Sequence, residues 1–274
     1  MREPEALGRM AADCLADGFR SVDAQADTAR FRACLEFLDG LPSFARYKSY
    51  VCDAAAESNG PSLDVGCGLG YDVLRIARRL PNETAFGIDL SEQFLDFARA
   101  QAGSLGVANA DFRRMEAGDL EFPDGLFAST RVDRSLQHMA EPGRVVSEMV
   151  RVTRTGGSII LAEPDWGTFF VGDWSVYADR VSEYYAGRFQ NPDIGRRLAT
   201  LLQAPGAEII DVRGYALIAL GASETDRVFD VAKTCELLER EGKGDGYLAW
   251  WSGMGRSSEV MGSVTIFIAV GRKT

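Results

Sequence analysis

The sequence predicts an α/β protein: a doubly wound, mostly parallel sheet with an antiparallel strand at its edge, helices on both faces, a helical lid in front and a helical insertion behind. Three observations lead there. Short apolar runs alternate with helical periodicities over most of the middle of the chain. The first of these runs ends in a cluster of glycines where a strand passes into a helix. A carboxylate closes the next run.

The elements follow in order. Leu7, Met10, Ala11, Cys14 and Leu15 recur at helical spacing, as do Phe31, Cys34, Leu35 and Leu38, and then Tyr47, Tyr50, Val51 and Ala54. Ser58-Asn59-Gly60-Pro61 breaks the pattern, so residues 1–59 are expected to form a helical lid and residues 60–274 the core. Leu63 to Val65 reads as the first strand, followed by a helix with Val73, Leu74, Ala77 and Leu80 that Pro81 stops. Ala85 to Ile88 is the second strand, and Ser91 caps a helix carrying Phe94, Leu95, Ala98 and Ala102. Strands near Phe112 and over Phe127 to Val132 precede a helix from Pro142 to Val152. Thr155-Gly156-Gly157 turns into the strand Ser158 to Ala162. Trp174 to Phe189 and Ile194 to Leu202 read as helices, and Ile209 to Arg213 pairs with Val264 to Val270 at the sheet edge. Between those strands, Ser223 to Asp226 reads as a capping box opening a helix with Val228, Ala232, Cys235 and Leu238. That helix belongs to a cap insertion at about residues 221–262.

Composition narrows the function. The chain of 274 residues carries a net charge of −10, and phosphate backbones and anionic lipid surfaces repel such a chain. Nucleic acid and membrane are therefore not expected as partners. Five scattered cysteines and a single histidine have no zinc spacing, so no metal is expected. Unpaired thiols suit a cytoplasmic location. Met1 to Leu15 lacks the apolar core of a signal peptide, and the longest apolar runs are strand-length, far too short to span a bilayer.

The decisive segment is Leu63-Asp64-Val65-Gly66-Cys67-Gly68-Leu69-Gly70. Glycines at such a turn let the backbone bend sharply and let a ligand approach it. The dinucleotide fingerprint GxGxxG needs glycine at position 71, which is Tyr71; the third glycine falls one place earlier, at Gly70. That spacing argues against a nicotinamide-dependent oxidoreductase, as does the absence of a Tyr-x-x-x-Lys pair. Asp89, in Gly87-Ile88-Asp89-Leu90, lies about twenty residues on, where a carboxylate accepts the hydroxyls of a ribose.

With these residues in view, the chain resembles the class I S-adenosylmethionine (SAM) dependent methyltransferases, which have a Rossmann-like fold. Leu63 to Gly70 reads as their first motif, E/D-x-G-x-G-x-G. Glu116-Ala117-Gly118-Asp119-Leu120-Glu121-Phe122-Pro123 is similar to the Asp-Ala-x-x-Leu-Pro-Phe segment of the ubiquinone and menaquinone branch, with Glu116 in place of Asp and Glu121 in place of Pro. Leu136-Gln137-His138, Glu148-x-x-Arg151-Val152 and Thr155-Gly156-Gly157 resemble further motifs of that branch, with Thr155 for the usual proline. The resemblance covers roughly Pro61 to Asp165. It implies SAM as cofactor. Asp64, Gly66, Gly68 and Gly70 would wall its methionine part, with the backbone carbonyl of Val132 at the methionine amino group. Asp89 would meet its ribose and Glu116 its adenine, with Asp119 the alternative to Glu116, and Leu90 and Ala117 would be further cofactor contacts.

The expected activity is transfer of a methyl group to a small-molecule acceptor, such as a secondary metabolite, quinone-like or polyketide-like compound. In-line displacement from a sulfonium asks the protein mainly for orientation and exclusion of water. His138 is the candidate general base, because imidazole titrates near neutrality; otherwise it braces its loop. Asp165, Trp166, Phe169 and Phe170 are candidates for the acceptor pocket, and Tyr47 with Arg46 or Lys48 for a lid over the cofactor. Asp133-Arg134 reads as a substrate ion pair or a surface pair, the Tyr247, Trp250, Trp251 and Met254 cluster as core or substrate roof, and Cys67 as a small loop residue. The rival reading is a SAM-binding protein that catalyses another reaction, such as a cyclisation. A homodimer is left open.

Overall fold

Short strands buried along nearly their whole length, such as Ser62–Val65 and Phe127–Asp133, belong to a sheet covered on both faces. A computed structural model describes residues 19, 22–24, 28–172, 175–254 and 260–274. Among these, the strands β1 (Ser62–Val65), β2 (Ala85–Asp89), β3 (Ala110–Arg114), β4 (Phe127–Asp133), β5 (Thr153–Val171), β6 (Ala207–Leu220) and β7 (Met261–Lys273) form one sheet in the order β3-β2-β1-β4-β5-β7-β6. Strands β1 to β5 pair in parallel. The reversed strand β7 pairs antiparallel with both β5 and β6, so it lies one place in from the edge that β6 forms.

The order reverses between β1 and β4. The chain winds outward through β2 and β3, then returns to the other side of β1. Such a switch point opens a crevice beyond the carboxyl ends of the strands, where ligands bind.

The helices are α1 (Thr28–Asp39), α2 (Pro42–Ala56), α3 (Tyr71–Arg79), α4 (Glu92–Ser104), α5 (Pro142–Val152), α6 (Val176–Ala186), α7 (Ile194–Gln203), α8 (Ala222–Phe229), α9 (Val231–Arg240) and α10 (Tyr247–Met254). Ser91 caps α4 as its position predicts, accepting from the Phe94 amide at 3.2 Å. Phe44, Val51, Val73 and Leu95 from α2, α3 and α4 belong to a core on one face. Val146, Met149 and Leu198 from α5 and α7 belong to a core on the other. No helix among the described residues is long and apolar enough to cross a membrane.

Several expectations need correction. The strand expected over Ser158 to Ala162 runs from Thr153 to Val171, because β4 already pairs with it at Thr153 and β7 stays paired through Asp165 and again at Phe170. The helix expected to open at Ser223 is two helices. Gly221 is the N-cap of α8, and Asp230, at φ +53°, separates α8 from α9. The helix read from Leu7 to Leu15, and Trp174, lie outside the described residues.

Candidate functional site

The crevice at the switch point is a cavity of about 920 Å³, roofed by α1 and α2 through Leu35, Asp39, Phe44 and Lys48. Its size is that of a site for one or two small molecules.

The β1–α3 turn forms one wall. Gly66, Gly68 and Gly70 have φ of +69°, +53° and +75°, a region that side chains enter only with strain. Each glycine has its own reason. A Cβ on Gly66 would lie 2.5 Å from the Ser135 hydroxyl, so the β1 and β4 loops touch there. A Cβ on Gly68 would meet only Leu35 Cδ1, at 3.7 Å; this is the glycine whose open side faces the cavity. A Cβ on Gly70 would lie 2.7 Å from Ala98 Cβ and from Phe112 Cε1. Gly70 therefore lets α4 and β3 pack close, and the cavity lining passes from Leu69 to Tyr71 without it.

Asp89 ends β2 in contact with that turn. Its Oδ2 accepts from the Gly68 amide at 2.9 Å and its Oδ1 from the Ser91 amide at 2.9 Å. Burial raises its pKa, while the amides of Ser91, Gly68 and Leu90 pull it back. A carboxylate has about four lone-pair sites, so acceptor capacity remains for a ligand hydroxyl. Leu90 is half exposed at the rim, Ala117 is buried, and Glu116 and Asp119 are both exposed at the cavity edge. The Glu148 and Arg151 pair fastens this segment to α5: Glu148 accepts from the Leu120 amide at 2.9 Å, and Arg151 donates to the carbonyls of Leu120 and Phe122.

Val132 stands apart from this wall. It lies fully buried within β4, paired with Val65 on one side and Leu161 on the other. The cavity lining begins one residue later, with Asp133, Arg134 and Ser135.

A second wall is charged. Asp64 in β1 and Arg131 in β4 are register partners, so their side chains share one face, and Asp133 follows two residues on. Arg131 is fully buried and reaches Asp64 at 3.3 Å, Asp72 at 2.9 Å and Asp133 at 2.8 Å. Lys48 of α2 pairs with Asp72 of α3, and with Asp133 at 2.7 Å. Burial pushes the Asp64 carboxyl up to about 7 against the pull of Arg131. Burial acts on Asp72 as well, but Lys48 and Arg131 together hold it well below the usual carboxylate range.

His138 also lines the cavity. Its ring sits between those of Phe19 and Phe189, with centroids 5.9 and 5.5 Å away. It ends a single helical turn, Leu136–His138, clamped from both sides. The fully buried Glu163 accepts from the amides of Ser135 (2.8 Å), Leu136 (2.7 Å) and Gln137 (3.3 Å). Asn191 donates to the carbonyls of Leu136 (3.0 Å) and Met139 (2.7 Å). Burial pushes the Glu163 carboxyl up to about 8 against those three amides.

A family model described as a methyltransferase domain matches residues 56–194, half of the chain and the segment that carries these walls. The chain belongs to the methyltransferase domain family. It is 30% identical to a demethylmenaquinone methyltransferase of Geobacillus kaustophilus, over 59% of this chain and 68% of that protein. It is 32% identical to an uncharacterised 37.1 kDa protein in a transposon of Streptomyces fradiae, over 69% of this chain and 56% of that protein. The chain spans about half the length of three of the curated relatives it matches, at 56%, 49% and 48%. Among solved structures it is similar to the [4+2]-cyclase SpnF, with 25% identity and a TM-score of 0.55, over 83% of this chain and 80% of that one.

Within this methyltransferase domain, the acceptor candidates placed after the fifth strand need revision. Asp165 lies inside β5 and is held by Arg196 through contacts of 2.6 and 2.8 Å. Trp166 stacks on Phe189 at 4.2 Å and donates to the Gln137 side chain at 2.7 Å. Phe169 packs in the same aromatic core, and Phe170 is exposed. None of the four lines the cavity. The Asp133-Arg134 pair is no surface pair, since both residues line the cavity and Asp133 is bound by Lys48 and Arg131. Sequence reasoning missed Arg131, Asp72, Glu163 and Asn191. The available signal for Arg131 was an arginine inside a strand buried on both faces, which demands a buried partner.

Proposed function

We propose that this methyltransferase domain binds SAM and transfers its methyl group to a small-molecule acceptor. The observation that carries the reading is Asp89: a carboxylate fixed by the Gly68 amide, beside a glycine whose open side faces the cavity. That pairing fits a nucleoside whose ribose meets Asp89 and whose sulfonium-bearing tail passes Gly66 and Gly68 near Asp64. Leu90 and Ala117 would flank the base, with Glu116 or Asp119 at its amino group. Val132 and Gly70 would act from behind, one as a sheet member at the methionine end, the other as a packing point for α4.

When bound, SAM supplies a methyl group activated on a sulfonium. The chain does the rest. The lid, which we assign to residues 1–59, excludes water from a core of residues 60–274 with its cap at about 221–262. His138, fixed by Glu163 and Asn191, takes the proton of a hydroxyl or ammonium acceptor at its imidazole. We place the enzyme in the cytoplasm, without nucleic-acid or membrane partners; light scattering would tell a monomer from a homodimer.

The likeness to SpnF supports a second reading, a SAM-binding protein that catalyses a reaction other than methyl transfer. Calorimetric titration with S-adenosylhomocysteine, with NADH as control, tests the shared cofactor claim. Micromolar binding of the first and none of the second is expected; the reverse would sink both readings. Retained SAM binding with no methylated product across a broad acceptor panel would favour the second. In the first reading, His138→Ala keeps cofactor affinity and loses turnover.

A further inference from the structure

Arg134 stands on the β4–α5 loop, on the same loop as His138, and its side chain rises into the cavity beneath the lid. Its backbone is at φ +54°, in the left-handed region that non-glycine residues hold only where their surroundings enforce it. Here they do. Its amide donates to the Ala162 carbonyl at 2.8 Å, and its own carbonyl accepts from the Gln137 side chain at 2.9 Å. The guanidinium lies over the Phe44 ring at 4.8 Å, and the side chain is 21% exposed.

What distinguishes Arg134 is the emptiness of its fork. Arg131, Arg75, Arg151 and Arg196 each donate to at least one carboxylate. Among the described residues, no hydrogen bond reaches the Arg134 guanidinium. Its Nε is buried without a hydrogen-bond partner, and its nearest carboxylate oxygen, Asp133 Oδ1, is 3.5 Å away. Asp133 is already committed to Lys48 at 2.7 Å, Arg131 at 2.8 Å and the Tyr47 hydroxyl at 3.3 Å. A planar fork of five donors, stacked into position and facing a cavity, matches a carboxylate or phosphate in two-point geometry.

We propose that Arg134 anchors an oxyanion of the acceptor, so that the substrates of this enzyme carry a carboxylate or phosphate group. The proposal rests on the methyltransferase reading above. The acceptor side is favoured over the cofactor side because the fork shares its loop with His138 and lies under Phe44 of the lid. The cofactor's own carboxylate is the competing oxyanion, and the test separates the two.

The protein saturated with S-adenosylhomocysteine is titrated with benzoate and with phenyl phosphate, and with benzyl alcohol as the neutral control. One of the two anions is expected to bind at least roughly tenfold more tightly than the alcohol; which one it is names the group. Arg134→Gln should erase that preference, and Arg134→Lys should keep part of it. Circular dichroism checks that each variant is folded, and if Arg134→Gln is not, the partial loss in Arg134→Lys decides. No anion preference in the wild type, or a preference unchanged in the folded variants, overturns the proposal. So does a loss of S-adenosylhomocysteine affinity in Arg134→Gln with that for 5′-methylthioadenosine unchanged, since Arg134 would then hold the cofactor's carboxylate. If S-adenosylhomocysteine fails to bind the wild type, the methyltransferase reading fails instead, and the anion titration of the unliganded protein decides the proposal separately.

Discussion

Along β1 and β2 the cavity is walled by backbone: glycines in left-handed conformations, amides and one carboxylate that two of those amides hold. Beside it, where α2 and α3 meet β1 and β4, the wall is buried charge: Lys48 and Arg131 against Asp64, Asp72 and Asp133. The first wall is set by spacing within short stretches of chain. The second is assembled from α2, α3, β1 and β4, and exists only once the register of β1 on β4 is fixed. Burying charge gains little by itself, whereas removing one member strands the others. The charged wall therefore ties α2 to α3 and β4.

Removing the centre of the charged wall should have the largest effect. Arg131→Met leaves three aspartates without their shared cation and should cost about 3–5 kcal/mol, lowering the melting temperature by roughly 10 °C. A loss below about 1 kcal/mol would mean that the charges are not coupled. Next comes the clamp on His138. The ordinary glutamate value is 4.5 and Glu163 is pushed up to about 8, so the folded state keeps a proton that the unfolded state releases. Stability should therefore fall as pH rises between those values, by about 1 kcal/mol per pH unit. Glu163→Gln should reduce the slope in denaturant unfolding, most clearly above pH 7, where Asp64, pushed up to about 7, no longer contributes; an unchanged slope there would place the titration elsewhere.

The glycines split the backbone wall. Gly70→Ala adds a clash with Ala98 and Phe112 to an unfavourable φ, and should cost about 2–3 kcal/mol in chemical denaturation. Gly68→Ala has only the backbone penalty, about 1 kcal/mol, yet should weaken cofactor binding because its methyl enters the cavity. Equal stability costs at the two positions would contradict the assignment of different roles.

These differences explain what was legible in the sequence. The α5 helix from Pro142 to Val152, the Ser91 cap and the Asp89 position depend on neighbours in the chain, and each falls where its spacing puts it. Glu163 was hidden because β5 looks finished at Ala162, where the apolar run ends. Pairing with β7 carries the strand on, and turns a residue expected in a loop into a buried cap for the His138 turn. Trp166 misled for the same reason: its partner Phe189 lies beyond α6 and comes near only through tertiary packing.

The most direct test of the two-wall account is thermal unfolding of wild type and Asp89→Ala, each with and without S-adenosylhomocysteine. At a ligand concentration about one hundred times Kd, the wild type should melt roughly 5–10 °C higher than without ligand, and Asp89→Ala should shift by close to nothing. An equal shift in both proteins, or none in the wild type, would contradict the claim that the backbone wall around Asp89 is where the cofactor binds.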